Sequence, residues 1–180
     1  MSTLAEGVLT YIETKDHALM RRVHRWRAPR WIRLWMICAT RGGDGWLWYL
    51  LGLILILFAG SEGALAVIQA TAAAFCGVGL FLGMKRAAGR RRPCALEPHC
   101  WSTLLPPDQF SFPSGHTITA FAIAVPVVGQ FPGTAAGLWF CACSIAASRV
   151  LLGMHFLSDV VAGAAIGSLL GYVARTLIAF

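Results

Sequence analysis

The chain has 180 residues, of which 57% are hydrophobic and 13% charged, and its mean hydropathy is +0.66; an average soluble domain has about 45–50% apolar and about 25% charged residues. This balance excludes a disordered chain and argues against a nucleic-acid binder despite the net charge of +7. It points to a single membrane domain.

The first 44 residues differ in kind from the rest. Leu4, Val8, Tyr11, Ile12, Leu19, Val23 and Trp26 recur at roughly helical spacing, and the positions between them turn basic after Lys15. The pattern predicts an amphipathic helix lying in the headgroup plane rather than a solvated basic tail, with Trp26, Trp31 and Trp35 as anchors. Trp31–Ala39 is short and carries Arg33, so five spans are assigned and a sixth here stays open. No cleaved signal peptide is expected either, because the first apolar run starts late and no small-residue cleavage site precedes it.

Beyond residue 44 the charges thin out. Uncharged runs of 17, 22, 40 and 15 residues follow Asp44, Glu62, Asp108 and Asp159. A helix needs ~20 apolar residues to cross a bilayer, and snorkelling ends tolerate a few fewer. Gln130-Phe131-Pro132-Gly133 is a turn signal that divides the longest run. Five spanning helices are therefore expected, near 45–60, 63–84, 114–130, 134–148 and 157–178. The expected fold is an all-α polytopic transmembrane bundle over 45–180, with an interfacial segment over 1–44.

Cys38, Cys76, Cys141 and Cys143 lie in apolar stretches, where cysteine serves as a small hydrophobe. Cys94 and Cys100 share a polar loop and could pair on an oxidising face. His99-Cys100 lacks zinc-ligand spacing, so no metal site is assigned there.

Nearly all the charge outside the tail falls in three short stretches: Lys85–Pro93, Pro113–His116 and Ser148–Asp159. Ionisable groups at membrane depth are costly and mark function. Alternating helix directions bring all three stretches to one membrane face. Lys85, Arg92 and Arg149 offer a point charge and two planar forks for phosphate oxygens. Ser114 can cap the third span, leaving the N–H groups of Gly115 and His116 to face an anion.

Two histidines then supply the reaction. His155 and Asp159 are four residues apart on one helix face, so the carboxylate can fix the imidazole tautomer and stabilise its cation. His116, from another helix, can protonate a departing alkoxide. One imidazole as nucleophile and one as acid suffice for phosphoester cleavage through a phosphohistidine. Gly163, Gly167 and Gly171 continue the series from His155 and Asp159, a stripe suited to close helix packing, which turns Asp159 inward. Taken singly, each feature has a plainer reading, as a packing histidine or a topogenic basic loop. Their joint spacing does not.

These three stretches resemble the signatures of the type 2 phosphatidic acid phosphatase (PAP2) superfamily. Lys85 followed after six residues by Arg92-Pro93 is similar to the first. Pro113-Ser114-Gly115-His116 is similar to the second, and Ser148-Arg149 with His155 and Asp159 to the third. The resemblance covers 85–159 and implies a helical membrane enzyme that dephosphorylates lipids without metal or other cofactor. It implies His155 as nucleophile, Asp159 as its assistant and His116 as acid, with Lys85, Arg92, Ser114, Gly115 and Arg149 holding the phosphate. Membrane members commonly have six spans, against the five read here.

The expected substrate is a phospholipid or polyprenyl phosphate or pyrophosphate: phosphatidic acid, phosphatidylglycerophosphate, a polyprenyl pyrophosphate or a lipid A phosphate. The loop Cys94–Phe112, with Trp101, Pro106 and Pro107, borders the cradle and is the expected selectivity element. A lipid phosphotransferase using the same site is the alternative within this chemistry. A vanadium haloperoxidase fits the membrane spans poorly, and a non-enzymatic lipid-binding protein would need neither acid nor nucleophile. The basic residues are concentrated in the tail and the motif loops, which places the active face toward the cytoplasm of the inner (plasma) membrane.

Overall fold

A computed structural model describes residues 4–96 and 108–179. The Cys94–Cys100 pairing, His99 and the selectivity positions Trp101, Pro106 and Pro107 all involve residues outside the described ones.

Every expected apolar run is helical, and the described residues contain no strand. In chain order the helices are α1 (Leu4–Arg25), α2 (Arg30–Gly43), α3 (Trp46–Phe58), α4 (Gly60–Ala88), the single turn α5 (Pro93–Leu96), α6 (Gly115–Gln130), α7 (Ala135–Leu151) and α8 (Leu157–Leu177). A 3₁₀ turn over Pro132–Thr134 joins α6 to α7 where the Pro-Gly signal stood. Gly89, at φ 58°, ends α4 in the left-handed conformation that suits glycine and turns the chain into Arg90–Arg92.

The span count is lower than expected. Among the described residues, α4, α7 with its leading 3₁₀ turn, and α8 are each long and apolar enough to cross a bilayer. Residues 30–58 pass that test only as the pair α2 and α3, bent by 58°. The 13-residue α3 is too short alone, and the 16 residues of α6 reach about 24 Å at 1.5 Å per residue, against ~30 Å of hydrocarbon. By length and composition, three helices qualify as spans, or four with the bent pair, against the five expected. Runs free of charge are longer here than the helices within them, because Gly45, the Ala59–Gly60 break and the Pro113–Ser114 entrance each use uncharged residues to stop a helix.

α6 is the central helix, packed against α8, α4 and α7. Its Ile118, Ala120, Ala122 and Ala124 are fully buried. The glycine stripe of α8 makes the closest contact: a Cβ at Gly167 would fall 2.3 Å from the Ile118 carbonyl oxygen, and one at Gly163 2.9 Å from that of Ser114. Asp159, on the same stripe, is accordingly turned into the bundle. The outer faces carry exposed Phe58, Phe75, Phe140, Leu169 and Leu177, the arrangement of a protein whose surrounding solvent is hydrocarbon.

Glu6 near its start and Arg22, His24 and Arg25 near its end complement the dipole of α1. Its apolar series Leu4, Val8, Tyr11 and Ile12 is exposed, whereas Asp16 and Met20 are buried. Met20 packs with Ala146, Val150, Phe156 and Val160. The helix thus meets the bundle through buried Met20 and Asp16 and through His17, whose ring lies edge-on to Phe156 at 4.9 Å. Leu19 and Val23 are half-buried, and the N-terminal half of its apolar series faces outward.

Candidate active site

The C-terminal ends of α4 and α7 and the N-terminal ends of α6 and α8 converge on a cavity of about 440 Å³, lined among others by Lys85, Arg92, His116, Arg149 and His155. The three motif stretches therefore meet at one end of the bundle. An apolar groove of about 360 Å³ between α3, α4 and α6 adjoins the cavity, sharing Gly45, Trp48, Tyr49 and Thr119 with it.

His155 sits in the turn between α7 and α8 and is 1% exposed. Its backbone N–H and that of Met154 both donate to the Arg149 carbonyl at 3.0 Å, which ties the turn to the end of α7. Nδ1 lies 2.5 Å from the Ser111 carbonyl oxygen, and Nε2 lies 3.1 Å from Arg92 Nη1. A carbonyl only accepts and a guanidinium only donates, so the proton is on Nδ1 and the Nε2 lone pair accepts from Arg92. Burial, reinforced by the guanidiniums of Arg149 and Arg92 against the pull of Asp159, pushes the His155 pKa down to about 3.

That depression has a sign. A histidine lowered on folding contributes stability above its ordinary value of 6.5, and this is lost as pH falls from there toward 3. In ¹⁵N spectra of histidine-labelled protein, the His155 signal, identified by its loss in His155→Ala, is expected to stay in the neutral Nδ1–H form from pH 8 to pH 5. A midpoint near 6.5 would contradict the geometry.

Asp159 departs from its expected partner. The Asp159 Oδ2 to His155 Nδ1 separation is 3.8 Å, an ion-pair distance and not a hydrogen bond. Oδ2 instead accepts the Phe156 N–H at 2.8 Å, capping α8, and Oδ1 accepts Arg90 Nη1 at 2.7 Å. The Ser111 carbonyl has taken the orienting position on the imidazole. Arg90 in turn donates to Asp16 Oδ2 at 2.8 Å, and Asp16 also binds the Ser158 hydroxyl and its N–H. A chain of charge thus runs from α1 through Arg90 to Asp159.

The phosphate-holding candidates are partly engaged. Arg92 is 2% exposed and donates from Nε to the Asp108 carbonyl at 2.8 Å, from Nη1 to the Met154 carbonyl at 3.0 Å and from Nη2 to Asp108 Oδ1 at 2.9 Å. Lys85 hydrogen-bonds the other Asp108 oxygen. Lys85 and Arg92 hold the Asp108 carboxyl below the usual carboxylate range, outweighing the upward push of its burial. Arg149 donates to the Thr40 hydroxyl, while its buried Nε has no partner among the described residues.

Ser114 stands at the N-cap of α6 but does not cap it. Its hydroxyl lies 2.9 Å from that of Thr117, because a second hydroxyl one turn along competes for it. Its own N–H donates to the Asp159 carbonyl at 3.1 Å, binding α6 to α8. Gly115 is pressed against the Phe81 ring, where an added Cβ would lie 3.3 Å away. His116 Nε2 donates to Asp44 Oδ1 at 2.7 Å.

All eight residues expected from the sequence surround this one cavity or brace its wall. Asp44 and Thr40 were not expected there, and Arg90, Asp108 and Ser111 lie in segments expected at the site but were given no individual role. Among the described residues, no three His, Cys, Asp or Glu side chains converge as metal ligands would.

Comparison with known proteins bears on the family and the fold. The sequence is 31% identical over 147 residues to the lipid A 1-phosphatase of Rhizobium johnstonii, covering 71% of this chain and 59% of that protein. It is 34% identical over 109 residues to the decaprenylphosphoryl-5-phosphoribose phosphatase of Mycobacterium tuberculosis, covering 59% of this chain and 58% of that protein. The chain thus spans less than two thirds of the length of these curated relatives. The crystal structure of Aquifex aeolicus LpxE superposes with a TM-score of 0.74 at 28% identity, covering 88% of this chain and 93% of that one. That of the transmembrane PAP2 type phosphatidylglycerolphosphate phosphatase from Bacillus subtilis gives 0.71 at 23% identity, covering 93% and 86%, and speaks for the fold. The pattern of the PAP2 superfamily runs over residues 62–179, from the start of α4 through all three motif stretches to the end of α8, and the chain belongs to that superfamily.

Proposed function

We propose that this chain is an integral-membrane phosphatase that removes a phosphate, as monoester or pyrophosphate, from a membrane lipid through a phosphohistidine and without a metal ion. The observation that carries the reading is the Nε2 lone pair of a buried, neutral His155, held beside Arg92 in a cavity that also contains Lys85, Arg149 and His116. The relatives are named for lipid A, a decaprenylphosphoryl ribose and phosphatidylglycerolphosphate. These differ in headgroup and tail but share a phosphate on a lipid, and the cavity opens onto an apolar groove.

In the proposed reaction Lys85, Arg92 and Arg149, with the N–H groups at the start of α6, hold the phosphate oxygens. His155 Nε2 attacks phosphorus as the bond to the lipid oxygen breaks, and that oxygen takes a proton from His116. Water, deprotonated by His116, then attacks the phosphohistidine, releasing phosphate and restoring both imidazoles. The Ser111 carbonyl keeps the Nδ1–H in place, and Asp159 at 3.8 Å stabilises the positive ring. Three cationic side chains supply the charge that a metal would bring, and Asp159 and Asp108 are already bound to cations.

The test is phosphate release by the purified protein in detergent with excess chelator, across phosphatidic acid, phosphatidylglycerophosphate, a polyprenyl pyrophosphate and lipid A. Release from at least one substrate, unaffected by chelator, is expected. Inactivation by chelator that magnesium reverses would refute the metal-free mechanism, and no release from any of the four would refute the function.

We further place the site toward the cytoplasm in the plasma membrane. Apart from Arg175, every Lys and Arg of the chain lies before Gly45, between 85 and 92, or at Arg149, and positive loops stay inside. In intact cells a membrane-impermeant thiol reagent should label a cysteine placed at exposed Ser61, between α3 and α4, and not one at exposed Gln109, in a background without native cysteines. The reverse pattern would invert the assignment.

A further inference from the structure

The turn between α2 and α3 contains an acidic residue with glycine on both sides, Gly43-Asp44-Gly45. The geometry favours glycine at both positions. A Cβ at Gly43 would lie 3.1 Å from His116 Cδ2 and 3.1 Å from Ile145 Cγ2, and Gly45 adopts φ +128°, which other residues rarely accept. Together they press the turn against the first turn of α6. The Asp44 N–H donates to the Arg41 carbonyl and the Gly45 N–H to the Gly42 carbonyl, which closes the end of α2 and fixes the backbone of Asp44. Asp44 Oδ1 accepts from His116 Nε2 at 2.7 Å, and one turn earlier Thr40 accepts from Arg149. A single helix end thus meets both a phosphate-holding candidate and the candidate acid.

The surroundings of His116 otherwise oppose its charged form. It is the second residue of α6, where the helix dipole is positive. Arg149 from α7 and Arg92 from the segment after α4 both repel an imidazolium there. The other carboxylates of the cavity region are committed: Asp108 to Lys85 and Arg92, Asp159 to Arg90 and the Phe156 N–H. Asp44 is the carboxylate in contact with the ring, with Arg41 at 4.0 Å behind it.

We propose that Asp44 is the positioning residue of the general acid: it orients His116 through Nε2, stabilises the imidazolium, and leaves Nδ1 to deliver the proton to the leaving oxygen. The site then contains two Asp–His pairs, one serving the nucleophile and one serving the acid. The proposal rests on the reading of His116 as the acid.

The experiment compares Asp44→Asn, Asp44→Glu and His116→Ala with wild type on two substrates, a phosphatidic acid and an activated aryl phosphate. Protonation by a positioned acid contributes ~10²–10⁴-fold where the leaving group is poor. Asp44→Asn is expected to lower the single-turnover rate of leaving-group release from the lipid by ~10–100-fold, a part of that contribution, while the same rate for the aryl ester, whose leaving oxygen needs no proton, changes by less than about threefold. The alkaline limb of the pH profile of that release rate on the lipid should move to lower pH, since the imidazolium loses its counter-charge, and Asp44→Glu should recover part of the loss. Equal loss on both substrates, or an unmoved alkaline limb, would overturn the role of Asp44. His116→Ala separates the two readings. If it spares the aryl ester and Asp44→Asn does not, only the role of Asp44 falls. If it harms both substrates equally, His116 is not the acid and the proposal falls with it.

Discussion

Replacing His155 with alanine is expected to abolish turnover, by on the order of 10⁶-fold if it resembles removal of a nucleophile elsewhere. The ring is buried and neutral, and its Nδ1–H is already given to Ser111. The ring's lone pair is on Nε2, where it accepts from Arg92 Nη1 at the cavity wall. Brief incubation of wild type with ³²P-labelled substrate should trap a phosphoenzyme that is labile in acid and stable in base, the signature of a phosphoramidate. The alanine variant should trap none. Label retained in that variant, or an alkali-labile adduct in wild type, would move the nucleophile to another residue.

Asp159→Asn comes next in size. The amide oxygen can still accept the Phe156 N–H, so the start of α8 and the fold should survive. What disappears is the negative charge beside His155 and the ion pair with Arg90. Where a carboxylate both orients a catalytic histidine and stabilises its cation, the asparagine variant loses ~10⁴ in kcat. Here the Ser111 carbonyl holds Nδ1–H independently, so a loss of at least ~10² but below that ceiling is expected. Steady-state kinetics on the preferred lipid would measure it, with circular dichroism to verify the fold. A loss under tenfold would mean that Ser111 alone carries the imidazole and that Asp159 serves chiefly to cap α8.

The sequence made the scaffold legible because hydrocarbon is an unforgiving solvent. Runs without charge had to be helices, and their alternating directions had to bring Lys85, His116 and His155 to one end. The Gly163, Gly167 and Gly171 stripe correctly foretold that Asp159 turns inward, since spacing along one helix is a local property. The number of spans was less legible, because glycine, alanine and proline end helices as effectively as charges do. α3 and α6 are shorter than their uncharged runs for that reason. The partners of the site were hardest to read. Asp44 meets His116 across 72 residues and Arg90 meets Asp159 across 69, and nothing local announces such pairs. Two hints were present: Asp44 is an acidic residue between two glycines at the edge of an apolar run, and Arg90 lies inside the first motif. Ser114 misled for a local reason, as Thr117 offers its hydroxyl a nearer partner than the helix N–H groups.

The bridge that Asp108 makes between Lys85 and Arg92 changes what binding means at this site. The cradle carries its own tethered competitor, a carboxylate whose effective concentration is set by a short stretch of chain and so is in the millimolar range or above. A ligand must therefore win an exchange, and only its advantage over a carboxylate counts toward affinity. A fatty acid or an acidic headgroup, with one charge and two oxygens, gains nothing over the resident group. A phosphate dianion brings a second charge and a third oxygen, and an unpartnered Arg149 Nε is at hand to receive it. On the proposed function, such a competitor would turn a generally attractive basic pocket into one that favours a phosphate dianion over singly charged headgroups.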